Sequence, residues 1–559
     1  MIEDRIARIV RHALEDARDE LGLSGDLPEI EVAGSRQKEF GDFSTNVALG
    51  LARRVGRGRS AREVAEVIRS HLPPDELIER VEVAGQGFLN LFVHAEWLLD
   101  VLRDAVARGP RYGRAEPNGR STQVEFVSAN PTGPLHVGHA RNAALGDALA
   151  RLLDAAGWRV EREYYFNDTG GQMDRFGASV EARYLQLLGR RAEVPEDGYH
   201  GDYIVDLARE IVNEHGDAFV DLPPEERMAV LRTEGAQRVL DGIRTTLDRF
   251  GVRFDSYVSE SDLAESGEID AALRRLREAG YVFESEGAVW FRSTAFGDDK
   301  DRPLIRGNGT HTYFAADCAY LIDKFARGFD RMIYVWGADH HGDVVRVKGA
   351  AQAMGFDPSA VEMLIYQFVS FLRGGQPVKM SKRAGTFITL DELIDEVGTD
   401  AARFTLLMHS NDSPMSFDIE DVKRRSMDNP VYYVQYGHAR IASILRNSEE
   451  RGVSMKPIEE ADLSLLSTDA ELDLLRTIAE LPDLVLRAAE LRGPHRLAHY
   501  AQQLAAGFHR FYTECRVITD DEPLTQARLW LSTGAKQTIA NVLALLGVSA
   551  PESMERIDA

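Results

Sequence analysis

Apolar and polar residues follow two different spacings along the chain, and the change from one spacing to the other marks its predicted regions. A helical spacing runs from Ile2 to Leu21, and the segment 81–93 predicts two strands joined by a glycine-containing turn. From Thr122 the order becomes strand, helix and strand, with boundaries at about 122–128, 137–156 and 160–166. This order is typical of a βαβ unit, so we expect parallel strands covered by helices.

Downstream, the strand pattern gives way to helices. Strands are predicted at 331–336 and 363–371 with a helix at 342–354 between them, and residues 180–300 are predicted to be largely helical. After about residue 425 the leucine spacing is helical throughout, which favours a bundle. Four helices are predicted there, at 431–445, 469–481, 494–512 and 524–546. The sequence thus predicts three domains: an α+β domain over 1–110, an α/β domain with a parallel sheet over 120–425 and a helical insertion at about 185–300, and an α-helical bundle over 426–559.

Composition gives the chemical setting. The net charge of −24 disfavours a nucleic-acid partner for the molecule as a whole, but binding needs only a local basic face. No apolar run approaches the roughly 18 residues of a membrane span, and the amphipathic start of the chain does not resemble a signal peptide. Cys318 and Cys515 are the only cysteines, which excludes a cysteine-based zinc site and fits a reducing cytoplasm. Composition therefore indicates a soluble cytoplasmic protein.

The first candidate motif is a pair of histidines, His136 and His139, in the loop that follows the first strand of the βαβ unit. Pro131 and Pro134 delay the start of the next helix, and the amino end of a helix suits a phosphate group. Gly138 lets a nucleotide approach the backbone, and both imidazoles can donate hydrogen bonds to a reacting phosphate. Such a pair alone is more often a solvated helix start. A metal site has no third ligand nearby, so none is predicted.

The second candidate motif is Lys379-Met380-Ser381-Lys382, which begins 240 residues after His139 and follows a predicted strand. Two lysines on a glycine-flanked loop can reach the β- and γ-phosphates of a nucleotide and stabilise departing pyrophosphate. A lone motif of this kind is commonly a solvated basic turn. The histidine pair and the lysine motif occur in this order, each after a predicted strand. This combination favours a nucleotide site over a solvated turn.

Together the two motifs resemble the signatures of class I aminoacyl-tRNA synthetases. The resemblance implies a Rossmann-type catalytic domain that forms an aminoacyl-adenylate from ATP and releases pyrophosphate. It implies His136, His139, Lys379 and Lys382 as catalytic residues. Residues 337–341 resemble the adenosine-binding segment, where a carboxylate at a strand's end is placed to accept ribose hydroxyls. The ATP-binding residues that follow are Asn130, Gly138, Gly337, Asp339, His340, Met380 and Ser381.

The amino acid is suggested by two carboxylates, because a guanidinium group needs acidic partners for bidentate hydrogen bonds. Glu125 and Asp317 are candidates near the signature loops, although an acidic residue in a strand usually faces solvent. The runs 124–139 and 312–317 are very similar to those of arginyl-tRNA synthetases. That resemblance implies an arginine site formed by Glu125, Ser128, Asn130, His136, Tyr313 and Asp317.

The resemblance covers nearly the whole chain. Residues 38–48 and 87–90 are similar to the family's N-terminal domain, which touches the tRNA elbow, and residues 434–441 and 508–517 are similar to its helical anticodon-binding domain. It implies tRNA contacts at Phe88, Asn90, Tyr436, Arg440 and Arg516. The implied substrates are L-arginine, tRNA(Arg) and ATP with Mg²⁺ as co-substrate. We expect a cytoplasmic monomer that binds neither DNA nor membrane and holds no tightly bound metal.

Three alternatives stay open. Another class I synthetase is disfavoured because cysteine enzymes use a zinc site that two distant cysteines cannot build, and because the gap between the motifs leaves no space for a large editing domain. A catalytically silent paralogue would not need all four motif residues. A small-molecule nucleotidyltransferase would not need the region 425–559, so its activity would survive deletion of that region.

Overall fold

The computed structural model describes residues 2–35, 38–55, 58–378 and 387–555. The chain forms two compact units. One contains residues 1–112, 444–483 and 506–538, and the other contains residues 113–443, 484–505 and 539–559. None of the helices in the described ranges is long and apolar enough to cross a membrane.

The N-terminal part of the first unit is a four-stranded antiparallel sheet packed against helices. The strands are β1 Ala33–Gly34, β2 Phe43–Thr45, β3 Ile78–Ala84 and β4 Phe88–Val93, in the order β1-β2-β4-β3. The helices are α1 Ile2–Asp16, α2 Arg18–Leu21, α3 Val47–Leu51, α4 Ala61–Ser70 and α5 Ala95–Arg108. Ile6, Val10 and Leu14 of α1 recur at helical spacing and are fully buried, which explains why this segment forms a helix against the sheet. The predicted hairpin at 81–93 is confirmed.

The second unit contains the predicted parallel sheet. Its strands are β5 Ser121–Glu125, β6 Arg159–Phe166, β7 Ser256–Ser259, β11 Arg331–Gly337 and β12 Val361–Tyr366, in the order β12-β11-β5-β6-β7 with every pair parallel. Helix α6 Ala140–Ala155 joins β5 to β6, so the βαβ unit and the α/β class are confirmed. Strand β5 ends earlier than the predicted residue 128, because Val127 and Ser128 have positive φ angles of 64° and 44° that extended strands do not adopt.

Two further predictions need correction. The predicted strand 363–371 is wrong as one element: β12 ends at Tyr366, and β13 Val369–Arg373 joins a separate sheet with β14 Gln376–Pro377 and β15 Met415–Asp418. The region 180–300 is mainly helical, but it also contributes β7 to the central sheet. It then leads into a small antiparallel sheet that the sequence pattern missed. That sheet consists of β8 Val282–Ser285, β9 Ala288–Phe291 and β10 Arg302–Ile305.

The remaining elements are helices. Those of the second unit up to residue 425 are α7 Gly170–Leu187, α8 Asp202–His215, α9 Pro224–Arg249, α10 Glu260–Glu265, α11 Glu268–Glu278, α12 Tyr313–Ala326, α13 Asp343–Ala353, α14 Leu390–Val397, α15 Thr399–Leu407 and α16 Ile419–Lys423. The later ones are α17 Pro430–Glu450, α18 Asp469–Ala479, α19 Leu481–Glu490, α20 His495–Glu514 and α21 Glu522–Leu546. No strand lies between residues 426 and 555, as predicted.

Helix α6 is held in the centre of the second unit by a buried ion pair. Arg403 of α15 is fully buried and pairs with Asp147 of α6. The same guanidinium donates to the carbonyl oxygens of Phe250, at 2.9 Å, and Leu546, at 3.0 Å. These bonds satisfy most of the donors of a cation that would otherwise be strongly disfavoured in the interior. The helix that begins next to His139 is therefore fixed along its length.

Close packing of α6 on β5 depends on Gly146. A methyl group there would overlap the ring of Phe126. We expect Gly146→Ala to destabilise the protein by about 1–3 kcal/mol, the usual effect of overpacking a core. Gly242→Ala is the matched control, because this glycine also lies inside a helix but faces open space. Urea unfolding followed by circular dichroism should give a lower midpoint for the first variant and an unchanged or higher one for the second.

Candidate active site

The site is built on the carboxyl end of β5. The positive φ angles of Val127 and Ser128 turn the chain sharply out of the strand. Asn142 of α6 holds this turn, since its Oδ1 accepts from the Val127 amide at 2.8 Å and its Nδ2 donates to the Val335 carbonyl of β11 at 3.0 Å. Two neighbouring strands and the following helix thus fix the start of the histidine loop.

His136 and His139 lie against each other at the start of α6, with ring centroids 4.0 Å apart. The Nδ1 of His136 accepts from the Gly138 amide at 3.0 Å, and the Nδ1 of His139 accepts from the His136 amide at 3.2 Å. A neutral imidazole that accepts at Nδ1 carries its proton on Nε2, so both rings present Nε2 as the donor. A Cβ atom on Gly138 would lie 2.7 Å from the His136 ring. The observed position of this ring next to the backbone therefore requires glycine at residue 138.

The predicted lysine motif, Lys379-Met380-Ser381-Lys382, lies outside the described residues. The described chain resumes at Phe387, and there it pairs with the histidine loop. The Val137 amide donates to the Ile388 carbonyl at 3.0 Å, and the Leu390 amide donates to the Leu135 carbonyl at 2.8 Å. The Phe387 ring lies 6.0 Å from that of His136. The described chain beyond the motif, from Phe387 onward, therefore lies against the histidine loop.

The predicted adenosine segment follows β11, the neighbour of β5 in the sheet. Gly337 is the buried last residue of that strand, and Asp339 and His340 are exposed just beyond it. His340 Nδ1 lies 2.9 Å from Asp343 Oδ2, and this hydrogen bond raises the pKa of the imidazole. A carboxylate and an imidazole therefore stand at the same sheet edge as the histidine loop.

The predicted arginine-binding residues come from β5, its loop and helix α12. Glu125 is buried, and its Oε1 accepts from the Ser128 hydroxyl at 3.3 Å. Tyr313 and Asp317 are one turn apart on α12, with Tyr313 exposed and Asp317 half-buried. Burial raises the pKa of Asp317 to about 7, and the negative charge of Glu125 contributes to that rise. The two predicted carboxylates are therefore close enough to interact electrostatically.

Asn130 joins the loop to the next two elements. Its Oδ1 accepts from the Asn167 amide at 3.1 Å, and its Nδ2 donates to Gln172 Oε1 at 2.9 Å. Gln172 lies on α7, so this amide ties the loop to the start of the helical insertion. Both ends of the Asn130 side chain are thus hydrogen-bonded to the protein.

Sequence reasoning missed several polar side chains of this pocket. Glu260 accepts from the Tyr165 hydroxyl at 2.9 Å, and the Tyr165 ring stacks on Tyr320 with centroids 4.9 Å apart. Lys324 is fully buried with its Nζ 2.5 Å from Glu125 Oε2. A signal for Lys324 existed in the sequence, because it continues the apolar face of α12 three residues after the buried Leu321. Glu260 carried no comparable signal.

The residues predicted to contact tRNA differ in exposure. Phe88 is 41% exposed, whereas Asn90, two residues along the same strand, is only 3% exposed. Tyr436 and Arg440 are half-buried on α17, with the guanidinium carbon 5.4 Å from the ring centroid. Arg516 is exposed, and its carbonyl accepts from Arg528 at 2.7 Å.

Comparison with known proteins agrees with this architecture. Residues 101–434 match the family model of the class I tRNA synthetase (R) catalytic domain, and residues 434–554 match that of the DALR anticodon binding domain. Residues 4–93 match the arginyl tRNA synthetase N terminal domain. The chain is therefore a class I aminoacyl-tRNA synthetase, a ligase.

Comparison with full-length relatives identifies the family within this class. The chain is 48% identical to the arginine–tRNA ligase of Moorella thermoacetica, over 98% of each chain, and 48% identical to that of Heliobacterium modesticaldum, over 99% of each. The solved structure of Thermus thermophilus arginyl-tRNA synthetase is 26% identical with a TM-score of 0.78, over 99% of this chain and 100% of that one. The arginyl-tRNA synthetase of Plasmodium falciparum, at 18% identity and a TM-score of 0.76 over 99% of each chain, shares the fold. The chain belongs to the arginyl-tRNA synthetase family.

Proposed function

We propose that the protein is an arginine–tRNA ligase that works in two steps at the carboxyl edge of its parallel sheet. The first step joins L-arginine to the AMP part of ATP and releases pyrophosphate. The second moves the arginyl group to the terminal adenosine of tRNA(Arg) and releases AMP. The observation that supports the proposal is that Glu125, at the end of the strand that leads into the histidine loop, pairs with Lys324 of α12, the helix that also carries Asp317.

Arginine binds through its positive groups. Glu125 and Asp317 accept hydrogen bonds from these groups, with Ser128, Asn130 and His136 at the strand end. Charge-assisted hydrogen bonds to carboxylates are strong and, for a guanidinium group, bidentate. Tyr313 lies along the aliphatic part of the substrate. An amino acid with an uncharged side chain would leave the Asp317 carboxylate without its cationic partner, so discrimination of about 10⁴ or more needs no editing step.

ATP binds along the histidine loop and the adjacent strand end. Gly138 gives the nucleotide access to the backbone, Asn130 lies on the same loop, and Gly337, Asp339 and His340 hold the adenosine. An oxygen of the arginine carboxylate attacks the α-phosphorus, and the bond from that phosphorus to the bridging oxygen of pyrophosphate breaks. His136 and His139 donate hydrogen bonds from Nε2 to the phosphate. Lys379, Met380, Ser381 and Lys382 bind the departing pyrophosphate.

In the transfer step, the 2′-hydroxyl of the terminal adenosine attacks the carbonyl carbon of the adenylate, and AMP leaves. No covalent enzyme intermediate is needed, because the chain supplies orientation and charge stabilisation. Mg²⁺ enters with the phosphates of ATP as part of the co-substrate, and it neutralises their charge.

The remaining parts of the chain bind tRNA. We assign an elbow-binding domain to residues 1–110, the catalytic domain to residues 120–425 with its insertion at about 185–300, and an anticodon-binding domain to residues 426–559. The contacts in the two outer domains are assigned to Phe88, Asn90, Tyr436, Arg440 and Arg516. We assign the protein to the cytoplasm, where it acts as a monomer on tRNA rather than DNA.

Exchange of radioactive pyrophosphate into ATP tests the proposal. Each of the twenty amino acids is supplied in turn, with and without tRNA(Arg). We expect exchange with arginine, and attachment of arginine to tRNA(Arg) in the same preparation. Exchange with a different amino acid would reassign the pocket, and the absence of exchange under all forty conditions would leave a tRNA-binding protein without catalysis.

A further inference from the structure

Lys324 occupies an unusual place for a lysine. It lies on α12 with none of its surface exposed, and its Nζ is 2.5 Å from Glu125 Oε2 and 3.9 Å from Glu163 Oε1. The same ammonium lies 3.6 Å from the ring centroid of Tyr334 and 4.1 Å from that of Tyr320. A cation without exposed surface is retained only where carboxylates and ring faces replace its water.

The two carboxylates beside Lys324 differ in their other partners. Glu163 accepts from the guanidinium of Arg327 at 2.5 Å and from the side chains of Gln123 and Tyr320. Among the side chains of the described residues, Glu125 accepts only from the Ser128 hydroxyl and from Lys324. Within the described part of the chain, Lys324 is therefore the single cation within ion-pair distance of Glu125.

The surroundings of Glu125 otherwise oppose its charge. Burial raises the pKa of this carboxyl, the negative charge of Glu163 raises it further, and Lys324 opposes the rise. The groups that face Glu125 are Asp317, Tyr320 and Lys324 from α12, Glu163 and Tyr165 from β6, Tyr334 from β11, and Ser128 of its own loop. Burial raises the pKa of the three tyrosines, so they remain neutral at physiological pH.

We infer that Lys324 is a positioning residue for the amino-acid substrate, which keeps the Glu125 carboxylate ionised and fixes its rotation so that it can accept from a positive group of arginine. The inference rests on the role proposed for Glu125 in the arginine site. Lys324 holds Oε2 from inside the core while Ser128 holds Oε1 at the loop. The carboxylate is thus oriented before the substrate arrives, and orientation of this kind reduces the entropy lost on binding.

Lys324→Met tests this inference, because methionine is unbranched, similar in length and uncharged. Without the ammonium, the pKa of Glu125 should rise further, because burial and the charge of Glu163 then act without an opposing cation. We expect the KM for arginine to rise at least tenfold in pyrophosphate exchange, while the KM for ATP changes by less than twofold. The ratio of the variant's arginine KM to that of the wild type should fall as the pH is raised from 6.5 to 9, because higher pH ionises Glu125. Asp317 titrates in both proteins, and loss of the Glu125 charge would lower the pKa of Asp317 in the variant, an effect on this ratio opposite in direction to the fall expected here.

Glu163→Gln is the matched control. Glu163 is equally buried and lies beside the same ammonium, but it has Arg327 as its own cation. We expect its arginine KM to stay within threefold of the wild type with no trend in pH. Lys324→Gln repeats the test with a side chain that keeps a donor, in case the methionine variant does not fold.

The outcomes separate the possible roles of Lys324. Combining Lys324→Met with Glu125→Gln should add little to the larger single effect, because both changes remove the same ionised carboxylate. A variant-to-wild-type KM ratio that is constant across the pH range, or fully additive losses, would make Lys324 a packing residue and overturn the inference. Wild-type exchange that does not depend on arginine would instead overturn the proposed function, whatever the variants show.

Discussion

Replacing His136 by asparagine is expected to lower kcat for adenylate formation by about 10²–10³-fold, the usual effect of removing one preorganised donor from a reacting centre. The two ring nitrogens of His136 have different roles in the structure. Its Nδ1 accepts a hydrogen bond from the Gly138 amide and caps the turn, and the ring proton is therefore on Nε2. The amide of asparagine matches Nδ1 in position and can keep the cap, but it has no group at the place of Nε2.

His136→Gln is the informative partner variant, since its amide nitrogen reaches about as far as Nε2. We expect it to recover part of the lost kcat, and both variants to keep the wild-type thermal midpoint within a few degrees. His200→Ala changes an exposed histidine of the insertion and should leave kcat unchanged. Pyrophosphate exchange at saturating arginine and ATP measures the effect. Wild-type kcat in His136→Asn would remove Nε2 from the reaction.

The parts of the fold that the sequence predicted correctly are those with local causes. Helix α6 and strands β5 and β6 follow from apolar periodicity within one continuous segment, residues 121–166, and the order of the two motifs required no knowledge of packing. The incorrect strand 363–371 shows where periodicity fails. After Tyr366 the chain leaves the central sheet, because groups distant in the sequence form the hydrogen bonds of the next backbone amide and carbonyl. The Gln367 amide donates to the Asn411 carbonyl at 2.8 Å, and Arg141 donates to the Gln367 carbonyl at 2.5 Å.

The same distinction holds for the site. The sequence suggested Glu125 and Asp317 because both lie in recognisable runs. It did not suggest that Glu125 has a buried cation, because Lys324 lies 199 residues away and the pairing exists only after the sheet and α12 have packed. Glu260 was missed for a related reason. Its carboxylate lies beside the pocket through Tyr165, and an acidic residue at the start of a short helix is ordinarily explained by the helix dipole.

The second large effect is expected at Asp317. Changing Asp317 to asparagine keeps the shape of the side chain but removes its charge. The arginine KM should then rise about 30-fold or more at pH 8, because loss of one partner of a buried charged pair costs about 2–5 kcal/mol. The KM for ATP should change little. Asp323→Asn is the matched control, because this aspartate is on the same helix but pairs with Arg327 at 2.8 Å. Its arginine KM should stay near that of the wild type.

The pH dependence of the arginine KM gives a second test of the role of Asp317. Burial raises the pKa of Asp317 to about 7, Glu260 and Glu125 add to the rise, and Arg346 opposes it. The carboxyl is therefore ionised above pH 7 and neutral below it, and the ionised form is the one that attracts a cation. The wild-type arginine KM should rise as pH falls from 8 to 6, approaching tenfold per unit below the pKa. Asp317→Asn has no carboxyl to titrate, so its KM should vary much less over that range. A level wild-type profile combined with a near-normal KM in Asp317→Asn would place the guanidinium on another carboxylate, such as Glu260, which accepts a hydrogen bond from Tyr165.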